Sequence, residues 1–204
     1  MSFGEIKNTY LSFDYFRTQL FEHMVVDYDS TPRGIDVYMS SGSYTNNYQL
    51  DFNIEPVERL TFTLTGRYTD AKTNFKGSGL QEKPLTSKYK AVFNAQYATR
   101  MNRFIIDFTA SFNGSCRVWD FMKTYGYSEG YTSAYPLLYA QFTYRTKGMD
   151  YYCGVENITN YTQKDPIISA ANPFDSAFDA SCIWGPLMGR MIYAGVRFTL
   201  WKTN

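Results

Sequence analysis

LTFTLTGRYT, residues 60–69, decides the fold class of this 204-residue chain. Its even positions are Leu60, Phe62, Leu64, Gly66 and Tyr68; its odd positions are Thr61, Thr63, Thr65, Arg67 and Thr69. Successive side chains of a strand point to opposite faces, so this alternation gives one oily face and one wet face. The preceding stretch repeats the pattern, with Tyr48, Leu50, Phe52 and Ile54 set against Asn47, Gln49, Asp51 and Asn53. The short link EPVERL (55–60) predicts a tight hairpin between them.

Outward from that hairpin, period-two segments recur at residues 9–26, 44–55, 60–69, 87–99, 103–113, 135–145, 149–159 and 193–200, the seventh less regular than the rest. Tight connections at 55–60, 99–103 and 145–149 alternate with long ones at 27–43, 70–86, 114–134 and 160–189. The two ends of the sheet therefore face different surroundings. Outer-membrane barrels show this rhythm, with short turns on one rim and long loops on the other. The expected fold is all-β: an antiparallel transmembrane β-barrel segment of about eight strands with alternating tight turns and long loops. Strands of about ten residues at ~3.3 Å each, tilted by roughly 40°, cover the ~25 Å apolar band of such barrels. The oily faces of the second, third, fifth and last segments carry no charge, whereas Asp51, Arg67, Asp107 and Arg197 lie on the opposite faces. Tyr48, Tyr68, Tyr89, Tyr97 and Tyr144 fall near strand ends, where an interfacial girdle would lie.

Composition agrees and excludes other classes. Aromatic residues make up 19% of the chain, with 19 Tyr and 16 Phe. Mean hydropathy is −0.38 and no run of about 18 apolar residues occurs, so a membrane-spanning helix is not expected. A membrane barrel, whose strands are only half apolar, is not excluded by that average. A net charge of +1 with scattered Lys and Arg gives no basic stripe, so nucleic acid is not an expected partner. Cys116, Cys153 and Cys182 have neither disulfide nor zinc spacing.

His23 is the only histidine, which removes triads and His-based metal sites. Glu22, Asp27 and Asp29 read as a solvated loop edge, Asp175 and Asp179 as carboxylates without a pocket, and TDAKTNFKGSGL (69–80) as a flexible outer loop without P-loop spacing. No enzyme, cofactor or metal is expected. MSFGEIKN at the start has no signal-peptide pattern, so an exporting segment would have to lie outside this sequence.

The last quarter carries a resemblance. GVENITNYTQKDPI (154–167) and NPFDSAFDASCIWGPLMGRMIYAGVRFTL (172–200) resemble the C-terminal end of TonB-dependent outer-membrane receptors, closest to the group common in gut Bacteroidetes. MVVDYDS (24–30), SYTNNYQLDFN (43–53) and LQEKPLTSKYK (80–90) extend it over most of the chain. The resemblance implies that residues 1–204 are the C-terminal portion of such a barrel, without its plug domain and N-terminal strands. It implies an outer-membrane binding and transport protein for a scarce nutrient such as an iron chelate, haem, a corrinoid or an oligosaccharide. The implied partners are outer-membrane lipid, the barrel assembly machinery, the remainder of the receptor with its plug, and TonB through that remainder alone. Other readings of the strand pattern are a free-standing eight-stranded outer-membrane barrel with a structural or adhesive role, and a soluble lipocalin-like barrel.

Tyr193, Gly195, Phe198 and Leu200 match the spacing of the C-terminal signal by which barrels are recognised for assembly, although WKTN follows Leu200. Small polar Thr61, Thr63, Thr65, Asn47 and Gln49 suit a wide wet lumen better than the filled interior of eight closed strands. The fragment is expected to leave its first strand as an exposed edge. In RVWDFMKTYGYSEGY (117–131), Trp119, Tyr125, Tyr127 and Tyr131 are candidate ligand contacts, because aromatic outer loops of such receptors often meet ligand; plain loop-on-loop stacking is the other reading. Asn157 and Asn160 are expected to tie a strand end to its loop through side-chain to backbone hydrogen bonds.

Overall fold

The computed structural model describes residues 7–29 and 35–199. Eight long strands form one antiparallel meander: β1 (Lys7–Leu20), β4 (Ser43–Val57), β5 (Leu60–Phe75), β7 (Tyr89–Ala98), β8 (Phe104–Asn113), β9 (Tyr135–Arg145), β10 (Met149–Glu156) and β11 (Met191–Phe198). Three short strands stand above it. Among the described residues β2 (His23–Asp27) pairs only with β3 (Asp36–Ser40), and β6 (Gly79–Glu82) extends the sheet beside the far end of β5. Among the described residues, β1 and β11 are the two edges of the sheet and do not pair with each other.

Register keeps like with like across every junction. Phe52 lies opposite Leu64, Leu64 opposite Phe93, Phe93 opposite Ala110 and Ala110 opposite Leu138. The oily faces of the hairpins thus merge into one continuous surface. Two aromatic rows bound it. Toward the long loops, Tyr15, Tyr48, Tyr68 and Tyr89 run strand to strand with ring centroids 4.9, 5.9 and 5.1 Å apart. Toward the tight turns lie Tyr97, Phe104, Tyr144 and Tyr151, with Phe104 stacked on Tyr144 at 5.0 Å. On β5 the rows are reached at Tyr68 and, opposite Tyr97, at Leu60. Eight residues at ~3.3 Å put them about 26 Å apart along the strand.

The other face is polar and cross-linked. Asp51 accepts hydrogen bonds from Gln49 (2.8 Å) and Thr65 (2.6 Å), Asn53 donates to Thr63 (2.8 Å), and Asn94 donates to Asp107 (3.0 Å) and Thr109 (2.8 Å). Each polar side chain of this set has a hydrogen-bond partner, and all but Gln49 have one on the neighbouring strand, so the face can be wet without being disordered.

At the β10–β11 junction the register places Tyr152 opposite Gly195 and Gly154 opposite Tyr193. The relation is reciprocal, because a Cβ on either glycine would collide with the phenol of the tyrosine facing it. Each ring lies over the bare backbone of its cross-strand glycine. The Tyr193 hydroxyl then donates to Gln141 of β9 at 2.9 Å.

Two expectations need correction. The first segment is not one strand over residues 9–26: β1 ends at Leu20, the chain turns at Phe21 and Glu22, and β2 starts a separate hairpin. Nor is residues 69–80 a flexible loop. It carries β5 on to Phe75 and turns back through β6. Above the apolar band the strand no longer needs an oily face, so the period-two signal fades while the backbone ladder continues.

The cysteines test which face meets lipid. Cys153 sits on the oily face between Phe142 and Ala194, while Cys116 and Cys182 are buried among the loops. Burial pushes the Cys182 thiol up to about 11 from its ordinary 9.0. The thiolate, the reactive form, is scarce at pH 9. The fold therefore holds the neutral thiol, and its contribution to stability is full below pH 9 and lost as pH rises through about 11. In lipid vesicles a charged maleimide at pH 7.5 is expected to leave all three largely unmodified. Rapid labelling of Cys153 by the charged reagent would contradict a lipid-facing position.

Candidate ligand-binding site

The long connections fold over the polar side of the sheet. Thr69, Ala71 and Phe75 continue the wet side of β5, and all three are buried. Phe75 meets the Trp119 ring at 6.0 Å, edge to face. Val118, Met122, Ile168 and Cys182 form a small core between the connection at 114–134 and that at 157–190, with Leu85, Trp119, Phe121 and Tyr127 packed around it. Three loops distant in sequence thus share one apolar nucleus.

Polar side chains fix its shape. Asn157, buried at the end of β10, donates to the carbonyls of Tyr161 (2.7 Å) and Met188 (3.2 Å) and accepts from the Tyr161 N–H (3.0 Å). Asn160 accepts from the Arg190 N–H at 2.8 Å. Both asparagines have positive φ, 50° and 56°, a conformation Asn tolerates better than most residues. The expected tie between strand end and loop is there. Gln163, buried, donates to the Cys182 carbonyl (3.0 Å) and accepts from the N–H groups of Trp184 (2.8 Å) and Gly185 (3.0 Å).

The hairpin β2–β3 is bound to the same cluster. Arg117 pairs with Asp29 at 3.0 Å and with Asp120 at 3.5 Å, and donates to the Glu82 carbonyl at 3.2 Å. Asp29 also accepts the Asp120 N–H, and Tyr28 packs on Trp119 at 5.1 Å. Burial raises the Asp29 carboxyl, against the pull of the Asp120 N–H and the Arg117 guanidinium. Asp27 is buried and accepts from the Tyr38 hydroxyl at 3.1 Å. The aspartates are therefore structural anchors and not a solvated loop edge. No cluster of three or more metal-ligating side chains occurs among the described residues. Arg117→Gln is expected to strand the partly buried Asp29 charge, costing about 2 kcal/mol. Limited proteolysis within residues 27–36 should then speed up while the sheet stays intact; an unchanged cleavage rate would show that the pair does not hold the hairpin.

Between the two long loops lies a cavity of about 530 Å³ lined by Tyr125, Tyr127, Tyr131, Tyr161 and Trp184, with Glu129, Lys164 and Asp165 among its polar groups. Tyr125 and Tyr131 are the more open rings, 47% and 45% exposed. Tyr127 is held: its hydroxyl accepts from the Trp184 indole N–H at 2.8 Å, and the two rings meet edge to face. Tyr161 stacks flat on Tyr135 at 4.9 Å, and burial raises its phenol pKa.

Of the four aromatic residues singled out in the sequence, Tyr125, Tyr127 and Tyr131 share this cavity and Trp119 does not. Trp119 lies between Tyr28 and Phe75 as a loop-packing residue. The cavity's other wall, Tyr161, Lys164, Asp165 and Trp184, comes from a loop that was not read as a site; the Trp beside Gly185 and Pro186 was its one sequence signal. Of the candidate assembly residues, Tyr193 and Gly195 belong to the ring-on-glycine pairs, Phe198 ends β11 on the oily face opposite Met149, and Leu200 lies outside the described residues. A second cavity, of about 270 Å³, lies on the polar face near the tight turns, lined in part by Asp107, Arg145, Asp150 and Arg197.

No protein-family model matches the chain, and no curated protein does. Solved structures do match. The ferric enterobactin receptor PfeA of Pseudomonas aeruginosa, in mutant form, superposes with a TM-score of 0.62 at 13% identity, over 93% of this chain and 29% of its own. The siderophore receptor PirA of Acinetobacter baumannii gives 0.61 at 13% identity, over 94% and 30%. The fold is similar to a part of the fold of these receptors. The ferric-catecholate import receptor Fiu of E. coli adds a TM-score of 0.57 at 16% identity, over 91% of this chain and 24% of its own. The chain thus spans 24–30% of the length of these receptors. At such identities the likeness is one of architecture: a receptor-type wall of eight strands with its long loops on one rim.

Proposed function

We propose that the chain is the C-terminal wall of an outer-membrane receptor, of the Bacteroidetes type, for TonB-dependent uptake of a scarce nutrient, and that it is not an enzyme. The observation that carries this reading is the sheet itself: a continuous uncharged outer face bounded by two aromatic rows, behind a hydrogen-bonded polar face. A soluble barrel turns its polar side chains outward to water; here the polar face is the one the loops fold over. The edges of β1 and β11, unpaired among the described residues, speak against a free-standing eight-stranded barrel, since lipid does not tolerate an open ladder.

In this reading the rest of the receptor supplies the missing strands and the plug, and TonB acts through that part. The assembly machinery takes up the last strand, with Tyr193, Gly195, Phe198 and Leu200 as its signal. Lipid covers the outer face. The loop cavity at Tyr125, Tyr127 and Tyr131 is the chain's share of the ligand site, for an iron chelate, haem, a corrinoid or an oligosaccharide.

Fractionation of a Gram-negative host expressing the chain with its upstream receptor sequence tests this. Retention in the outer membrane after an alkaline carbonate wash, with heat-modifiable mobility, is expected. Recovery as a soluble monomer that needs no detergent would overturn the proposal in favour of a lipocalin-like barrel.

A further inference from the structure

We infer that the loop cavity takes an uncharged or cationic ligand with a flat face, and disfavours multiply anionic chelates of the catecholate kind. This rests on the reading of the cavity as the ligand site and adds a charge class to it. The exposed rings of Tyr125 and Tyr131 offer faces on which a flat apolar or hydroxylated surface stacks and over which a cation is attracted. Their charged neighbours in the cavity are two carboxylates, Glu129 and Asp165, against one ammonium, Lys164. Carboxylates accept hydrogen bonds from ligand hydroxyl, amide or ammonium groups and repel a second anion.

Among the described residues, the arginines of the long connections are already engaged. Guanidinium recognises oxyanions through paired N–H donors. Among the described residues the long connections carry two arginines. Arg117 is held by Asp29, Asp120 and the Glu82 carbonyl, and Arg190 directs both Nε and a terminal nitrogen to the Ile158 carbonyl, at 3.0 and 2.6 Å. Lys88 and Lys123 are likewise paired, with Glu82 and Asp120. Two of the structural neighbours are named for ferric enterobactin or ferric catecholates. The barrel wall is shared with them, but this cavity's charge is opposite to what such anions need.

Calorimetric titration of the detergent-solubilised receptor, the chain together with its upstream receptor sequence, with three probes tests the inference: a neutral ferric trihydroxamate, a neutral oligosaccharide and a ferric tris-catecholate. At low salt at least one neutral probe is expected to bind about tenfold or more tighter than the catecholate, because screening then leaves the carboxylates their full reach. The Glu129→Gln and Asp165→Asn double variant should shrink that ratio severalfold. Asn suits the positive φ of 46° at position 165, so the change leaves the backbone unstrained. Tyr125→Ala should weaken every probe that binds. A catecholate that binds as tightly as the neutral probes, and is weakened by Tyr125→Ala, would overturn the charge class and leave the site standing. Binding of no probe, or binding indifferent to Tyr125→Ala, would overturn the site itself.

Discussion

Leu64→Arg is expected to abolish most membrane assembly, with Phe62→Arg close behind and Thr63→Arg nearly silent. Leu64 lies midway between the Tyr68 and Leu60 levels of β5, flanked by Phe52 and Phe93 on the neighbouring strands. An arginine there points into the centre of the apolar band and costs about 2–4 kcal/mol. Phe62, beside Ile54 and Ala95, is one side-chain step nearer the tight turns and should cost somewhat less, because the long side chain can reach toward the interface. Thr63 faces the polar side between Asn53 and Asn94 and accepts one hydrogen bond from Asn53 at 2.8 Å. Its loss costs about 1 kcal/mol, and the new guanidinium stands in a wet lumen. Outer-membrane yield and the heat-modified gel shift give the readout. Equal yields for Leu64→Arg and Thr63→Arg would mean that the face taken as lipid-exposed is not.

The second large effect is expected at Gln163, where Leu should unmake the loop cavity without touching the sheet. The buried amide satisfies the Cys182 carbonyl and the N–H groups of Trp184 and Gly185. Leucine fills the volume and leaves three backbone groups without partners, each costing about 1–3 kcal/mol when kept from water. The cheaper outcome for the chain is to let the loop open and hydrate those groups. Trp184 emission should then shift to the red, proteolysis between residues 160 and 190 should accelerate, and ligand binding should fall at least tenfold. Strand content by circular dichroism should be unchanged. A protease-resistant Gln163→Leu loop would show that the Val118, Met122, Ile168 and Cys182 cluster alone holds the site.

These two positions mark what the sequence does and does not disclose. The side of the sheet on which Leu64 and Thr63 lie was legible because a bilayer imposes a period-two rule without exceptions at mid-depth. The strand pairings followed, since EPVERL and the other tight links leave few ways to connect neighbours. The corner at Phe21 was hidden because no Gly or Pro marks it. The β5–β6 extension was hidden for the opposite reason: beyond the apolar band, LTFTLTGRYT gives way to DAKTNF, whose faces need not differ. Trp119 could not be told from a ligand contact, because the rings that surround it, Tyr28 and Phe75, come from other connections. Gln163 was invisible. Its importance lies in three backbone groups some twenty residues away, and no local pattern announces a side chain that will be buried.

The rings of Tyr152 and Tyr193 also bear on how the last strand finds its place. A slip of one residue between β10 and β11 would swap the oily and wet faces and is rejected by lipid. A slip of two residues keeps the faces and would pass that test. It would, however, set Tyr152 against Tyr193 in one direction, or Gly154 against Gly195 in the other. Neither ring would then have a bare backbone to lie on. The reciprocal pair therefore penalises the one register error that amphipathicity cannot detect.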